Sequence, residues 1–420
     1  MKFDTYPINA GIKKNLGKQG LKRPTDIQYK AIPSILKGED VLAIAQTGTG
    51  KTVAFAVPVI HQIIQAKAKG GGKGIHCIVM VPTRELAAQI DGVFQGLCAR
   101  TRVKPLAVFG GVEQDPQIRR LAKGVDILIA TPGRMFDLIS QKAIDVSRVR
   151  ILVLDEADQM LGRGFINDIQ AIKRQLKQRH QTLFFSATIN KQIKRLAFSQ
   201  VKSNAIRIQI SPDDPVSKNV SHYVVFVELD DKRFFLRRFV RDHEDAKIMV
   251  FVRTMVRAER VAKALARVDI LSLTIHRDKD QAERLDVMEK FKTGEERILI
   301  ATDVSARGID IPNVDYVVNY DLPEQKEVYV HRVGRTGRGR SKGSAVSFCS
   351  KGEKGLLREI EGFINKEIER IPMGRDEYAL TVDVTDGPES IQDMIRANEA
   401  WQKGHRKKGA RRKSAKGKKS

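Results

Sequence analysis

The 420-residue chain is short of acid: 50 Asp and Glu stand against 75 Lys and Arg, a formal net charge of +25. It also holds only three cysteines, Cys77, Cys98 and Cys349, widely scattered. That number and spacing exclude a disulfide framework and a cysteine-type metal cluster, and suit buried thiols in a reducing cytosol. No run of about 18 apolar residues occurs, so no membrane-spanning helix is expected. Met1–Gly11 lacks an apolar core of the kind a signal peptide needs. No repeat of solenoid period is present. What is present is a 41% hydrophobic fraction, enough for substantial cores and against a wholly disordered chain. The length predicts two or three domains, and the charge predicts a polyanionic partner, nucleic acid before membrane.

From Val41 onward, short apolar runs alternate with longer helical patterns. Val41–Ala45, Ile75–Val81, Leu106–Phe109, Asp126–Ala130, Ile151–Leu154 and Thr182–Phe185 read as strands. Several are apolar without alternation, as happens when helices cover both faces of a parallel sheet. The polar segment Ser211–Asn219, with two prolines, reads as a linker. The alternation then restarts at Tyr223–Val227, Ile248–Val252, Ile270–Leu273, Arg297–Ala301, Val314–Asn319 and Ser344–Phe348. The expected fold class is therefore α/β, with two doubly wound parallel-sheet domains at 1–210 and 220–370. A basic C-terminal extension, 371–420, follows and is expected to be largely disordered. Its last stretch, Trp401–Ser420, carries ten Lys or Arg and no acid, so it accounts for +10 of the +25 and should be disordered. It is either a solvated tail or a non-specific nucleic-acid tether.

Three segments carry chemistry. Ala45-Gln46-Thr47-Gly48-Thr49-Gly50-Lys51-Thr52 follows a strand and opens a helix. Its glycines let backbone N–H groups close on phosphate oxygens at a helix N-terminus. Lys51 would reach the β- and γ-phosphates and the Thr52 hydroxyl would bind Mg²⁺. The strict pattern has Gly where Ala45 stands. About 100 residues on, an apolar strand delivers Asp155-Glu156-Ala157-Asp158. Asp155 would hold Mg²⁺, Glu156 would orient and deprotonate water, and Asp158 would pair across a cleft. The third is His331-Arg332-Val333-Gly334-Arg335-Thr336-Gly337-Arg338, where Arg335 and Arg338 are candidates for stabilising γ-phosphate charge. Read alone, the same loop also fits an RNA-facing basic surface.

Together these segments resemble a DEAD-box RNA helicase of superfamily 2, most like the bacterial RhlE-type branch. The resemblance runs from about Phe3 to about Ile371. Gly20–Gln28 matches the adenine-reading Q motif, with Phe3 as the upstream aromatic. Pro82-Thr83-Arg84-Glu85-Leu86-Ala87, Gly110-Gly111, Thr131-Pro132-Gly133-Arg134, Ser186-Ala187-Thr188, Phe251-Val252-Arg253-Thr254 and Ala301–Asp310 match further motifs in order. The resemblance implies two tandem RecA-like domains, ATP and Mg²⁺ as cofactors, and RNA as a largely sequence-independent partner. It assigns Thr25 and Gln28 to adenine and Asp310 to ribose. Asp158, Ser186, Thr188 and His331 would couple hydrolysis to domain closure. Thr83, Arg84, Gly111, Thr131, Arg134, Arg253, Arg284 and Thr302 would hold RNA backbone, whose phosphates and 2′-hydroxyls carry no sequence information. The implied activity is RNA-dependent ATP hydrolysis with local unwinding. A clamp or chaperone with little unwinding would use the same residues. Ribosomal or RNA-decay proteins are possible partners, and a cytoplasmic monomer is expected. Two positions depart from the family. Leu21 stands where many members have an aromatic, and Arg277 stands where Gly usually follows the histidine.

Overall fold

The computed structural model describes residues 2–46, 48–162, 164–188, 191–210, 216–303, 314–337 and 341–383. The basic stretch Trp401–Ser420 therefore lies outside the described residues, as does most of the linker segment Ser211–Asn219. The chain divides into two compact units, Met1–Pro372 and Met373–Ser420. The second is described only through the helix Arg375–Asp383.

Within the first unit lie two seven-stranded sheets. The first comprises β1 (Val41–Ile44), β2 (Cys77–Met80), β3 (Pro105–Val108), β4 (Ile127–Ala130), β5 (Ile151–Leu154), β6 (Gln181–Ser186) and β7 (Ile206–Gln209), in the order β3-β4-β2-β5-β6-β1-β7. The second comprises β8 (Val220–Phe226), β9 (Ile248–Val252), β10 (Leu273–Ile275), β11 (Ile298–Thr302), β12 (Tyr316–Asn319), β13 (Gly343–Cys349) and β14 (Glu369–Arg370), in the order β10-β11-β9-β12-β13-β8-β14. Every pairing among the described residues is parallel. Raised by seven, the first order becomes the second. The repetition invisible at the level of residues is thus a repetition of topology.

The uninterrupted apolar strands have a physical cause. In β1, Val41 and Ala43 enter one core while Leu42 and Ile44 enter another. Val79 and Met80 of β2, and Val153 and Leu154 of β5, split the same way. One face is closed by helices including Asp26–Leu36, Lys51–Ala68 and Arg84–Cys98, the other by helices including Pro132–Ser140, Ile166–Gln175 and Lys191–Gln200. Alternation still operates, but both sides are buried, so it leaves no polar trace in the sequence.

One strand expectation needs correction, and two strands had no counterpart among the expectations. Ile270–Leu273 is not a strand: β10 begins only at Leu273. Asp269 adopts a left-handed φ of 59° and the Ile270 N–H donates to Leu265 O at 3.0 Å, closing the preceding helix instead. β7 and β14 were not expected. In β7, Arg207 and Gln209 face solvent beside the buried Ile208, the pattern of an edge strand, and β14 is only two residues long.

Candidate functional site

The chemistry gathers at the C-terminal ends of the strands. After β1, Gly48 and Gly50 take φ of 80° and 91°, and Gly50 caps the helix Lys51–Ala68. The Ala45 N–H donates to Ser186 O at 3.0 Å, tying this loop to the end of β6. Thr25 and Gln28 form a capping box on the helix Asp26–Leu36. The Thr25 hydroxyl donates to Thr49 O at 2.7 Å and the Gln28 Nε2 to Gly50 O at 3.1 Å, while Gln28 Oε1 accepts from Thr25 N–H at 3.0 Å. A Cβ on Gly50 would collide with the Gln28 amide. The Q-motif residues and the phosphate loop are therefore one unit. Gln28 keeps one N–H and one lone pair for a ligand. Phe3 is packed into the first core beside Tyr6, and Leu21 packs against the same core.

A cleft opens from this loop. Thr25, Gln46, Gly48 and Thr49 line it from the first sheet's side, and Ser217, Asn219, Gly334 and Gly337 from the second. Thr47, Asp310 and Arg338 lie outside the described residues.

Beyond β5, Asp155, Glu156 and Asp158 are buried or nearly so. Glu156 has a left-handed φ of 52°, a conformation costing roughly 1–2 kcal/mol for a residue with a Cβ. It aims the carboxylate at the phosphate loop. Lys51 Nζ lies 3.1 Å from Glu156 Oε1, and Gln159 Nε2 donates to Glu156 Oε2 at 3.1 Å. Burial pulls the Lys51 ammonium down, but Glu156, Asp155 and Asp158 more than offset it and hold its pKa above the usual lysine value. Burial pushes the Asp155 carboxyl up to about 7, against the pull of Lys51. A cation beside it would favour the ionised carboxylate. With the Thr52 hydroxyl, Asp155 offers oxygen donors that suit Mg²⁺.

Asp158 joins the two halves. Its Oδ2 accepts from Thr188 N–H at 3.0 Å and Thr188 Oγ1 at 2.8 Å, and lies 3.5 Å from His331 Nε2. Ser186 Oγ donates to Thr188 O at 2.8 Å. Burial alone would raise Asp158, yet the bond and charge of His331, with Lys51 and Thr188, hold it well below the usual carboxylate range. Glu156, Asp158 and His331 converge closely enough to bind a cation together. Arg335 is buried, and its Nε donates to His331 O at 3.2 Å.

The RNA candidates occupy the same rim. Thr83 Oγ1 caps the helix Arg84–Cys98 and Thr131 is the N-cap residue of the helix Pro132–Ser140. The Arg84 guanidinium lies where a Cβ on Gly111 would stand. Arg134 Nη2 donates to Val112 O at 3.0 Å. These residues follow β2, β3 and β4. Arg253 follows β9, with Glu353 at 3.4 Å and Glu324 at 3.8 Å, and Thr302 closes β11. Arg284 reaches across to Glu85, Nη2 to Oε1, at 2.6 Å. Arg277 lies in the turn after β10 and does not adopt a left-handed φ, so the glycine of the family pattern is not required there. Its side chain is 73% exposed, with Asp278 at 3.8 Å.

Sequence reasoning assigned no role to Gln159, Arg332 or Lys232. Gln159 sits in the first turn after the acidic loop, where a donor near Glu156 could have been sought. Arg332 is fully buried, with Nε 2.6 Å and Nη2 2.9 Å from the two Asp303 oxygens and Nη1 bonded to Asn319 Oδ1 and Asp321 O. It builds the loop that carries Arg335. Lys232 is fully buried, 2.5 Å from Glu353, and so anchors the carboxylate that holds Arg253. Nothing in the local sequence marks either pairing.

Residues 25–196 match the model of the DEAD/DEAH box helicase family, and 231–340 match the helicase conserved C-terminal domain. The chain is 37% identical over 394 residues to the ATP-dependent RNA helicase CshA of Listeria monocytogenes, covering 94% of this chain and 75% of that protein. Over 369 residues it is 37% identical to the DEAD-box ATP-dependent RNA helicase CshA of Bacillus subtilis, covering 88% and 74%. Among solved structures, S. cerevisiae Dbp5 bound to RNA and ADP BeF3 matches with a TM-score of 0.82 at 28% identity, over 91% of this chain and 98% of that one. The DEAD-box helicase Mss116 bound to ssRNA and UDP-BeF matches with a TM-score of 0.82 at 27% identity, over 96% and 87%. Two parallel sheets of one topology, a phosphate loop against an acidic strand end, and these relatives lead to one conclusion: the chain belongs to the DEAD-box family of ATP-dependent RNA helicases.

Proposed function

We infer that this chain hydrolyses ATP in response to RNA and uses closure of its two α/β domains to separate short duplexes and remodel RNA–protein complexes. One observation carries the coupling: Asp158, two residues from Glu156, is bonded at once to Thr188 of the first domain and His331 of the second. Occupancy of the phosphate site and the position of the second domain then cannot vary independently.

In this reading Gly48, Thr49, Gly50 and Lys51 cradle the triphosphate, with Ala45, Gln46 and Thr47 completing the loop. Gln28 and Thr25 read adenine, Phe3 supports that wall from the core, and Asp310 takes the ribose. Thr52 and Asp155 hold Mg²⁺, which when bound neutralises phosphate charge. Glu156, held by Lys51 and Gln159, accepts the proton of the attacking water. The water oxygen bonds to the γ-phosphorus as the bond to the β-phosphate oxygen breaks, giving ADP and phosphate. Arg335 and Arg338 offset the charge of the transferring group. Thr83, Arg84, Gly111, Thr131, Arg134, Arg253, Arg284 and Thr302 hold the RNA backbone. Differential affinity of the closed form for single-stranded RNA pulls one strand from a duplex.

A single chain supplies both halves of the cleft, which supports a monomer. All three cysteines are buried free thiols, which supports a reducing cytoplasm. Ribosomal or RNA-decay proteins are the partners we associate with this role. The test is steady-state ATP hydrolysis without nucleic acid, with single-stranded RNA and with DNA of equal length. Stimulation by RNA alone is expected. Equal stimulation by DNA would replace the RNA reading with a general nucleic-acid motor. Strand separation assayed beside it distinguishes unwinding from mere clamping.

A further inference from the structure

The residues described so far crowd the C-terminal ends of the strands. A second concavity lies at the opposite edge of the first sheet. Gly38, His76, Ile151 and Gln181 line it, at or just before the N-terminal ends of β1, β2, β5 and β6. Strands of four to six residues put it roughly 13–20 Å from the phosphate loop.

Its walls are cationic. Lys69, Arg150, Arg179 and Lys202 line it with His76 and His180, and no Asp or Glu is among the described lining residues. The nearest carboxylates along the chain are Glu39 and Asp40. Asp40 is buried and already bonded to Lys202 Nζ at 3.1 Å, Lys202 N–H and Thr182 N–H. Lys69, Arg150 and Arg179 are exposed, and their side chains make no hydrogen bond or ion pair among the described residues. Nor are they needed as helix caps. At the end of Lys51–Ala68, the carbonyls of Gln65, Lys67 and Ala66 accept from the N–H groups of Lys69, Gly70 and Gly71. Three unpaired cations around one hollow raise the local potential and favour a multiply charged anion.

We propose that this hollow is a second phosphodiester site, taking RNA strand outside the stretch held at the rim. It rests on the reading of the chain as an RNA-dependent ATPase. The two ends of one domain would then grip different parts of the same molecule, so that a long RNA stays attached while the rim opens and closes.

The test uses the full chain carrying Lys69→Gln, Arg150→Gln and Arg179→Gln, with one RNA of about 10 nucleotides, near the span of a single channel, and one of about 40. On the short RNA, affinity and RNA-stimulated ATP hydrolysis should equal wild type. On the long RNA, the slope of log K against log salt should become shallower by roughly 2, three phosphate contacts at about 0.7 each. Each single substitution should give about a third of that change, which keeps the test decisive should the triple variant misfold. An unchanged slope on the long RNA, or equal loss on both lengths, overturns the proposal. If wild type shows no RNA-stimulated hydrolysis with either length, the parent reading fails, while the slope comparison still decides this site.

Discussion

Replacing His331 with alanine removes a contact that crosses between the two sheets at the acidic loop. The imidazole and the Asp158 carboxylate are each about 6% exposed and 3.5 Å apart. A hydrogen bond to a charged group in such a setting is worth roughly 1.5–3 kcal/mol. The variant leaves Asp158 both of its bonds from Thr188, at 3.0 and 2.8 Å, so the first domain keeps its fold and its phosphate loop. The loss therefore falls on the closed arrangement alone. RNA-stimulated kcat should drop roughly 10- to 150-fold, since each 1.36 kcal/mol is a factor of ten. The KM for ATP and the slow hydrolysis without RNA should stay near wild type. Steady-state kinetics with and without saturating single-stranded RNA read this directly. A double-mutant cycle with Asp158→Asn assigns the loss to the pair. An unchanged RNA-stimulated rate, or an equal fall in the RNA-free rate, would refute the reasoning.

Glu156→Gln removes the proton acceptor and keeps the shape, so hydrolysis should fall by about 10²–10⁴ while RNA is still retained with ATP, as filter binding would show; normal turnover would dismiss the assignment. Lys232→Met takes the fully buried ammonium from Glu353 and Asp321 and leaves them only the less buried Arg253 and Arg257 as cationic partners; it should destabilise the second domain by about 3 kcal/mol in urea unfolding, with a shift under about 1 kcal/mol counting against it. Arg277→Gly should weaken RNA binding and reduce its salt slope by about 1, with ATP affinity unchanged; a steady slope means that the side chain meets no phosphate. The Asp158 carboxyl titrates below its ordinary value of 3.8, so its contribution to stability is complete above about pH 4 and is lost as pH falls below that. Asp158→Asn should therefore flatten the acid limb of the unfolding profile measured by circular dichroism; an unaltered limb would contradict the depressed value.

The motifs were legible because phosphate chemistry restricts residue type. A loop that must turn twice through left-handed backbone uses Gly48 and Gly50, and an apolar strand ending in Asp155 and Glu156 has few other uses. The central strands were legible because burial on both faces leaves only apolar residues. Elements defined by long-range pairing were not. β7 shows one buried residue in four, below what periodicity detects, and Ile270 reads as strand although its N–H completes a helix end. The ion pairs Arg332–Asp303, Lys232–Glu353 and Arg284–Glu85 join residues 29, 121 and 199 positions apart in sequence. Composition carries no record of such distances. The Gln28 amide shows the same limit: its capacity to bond was evident, its attachment to Gly50 was not.

The shared strand order has a consequence for stoichiometry. β8 occupies in the second sheet the place that β1 holds in the first. After β1 come the glycines and Lys51; after β8 come Val227, Glu228, Leu229, Asp230 and Asp231, with no glycine and with three acids that repel phosphate, and the lysine that follows, Lys232, is buried against Glu353 and Asp321. The place that carries the glycine-rich loop in the first sheet carries none in the second. The pair behaves as a dimer drawn into one polypeptide, and it should bind a single ATP per chain however strongly the halves resemble each other.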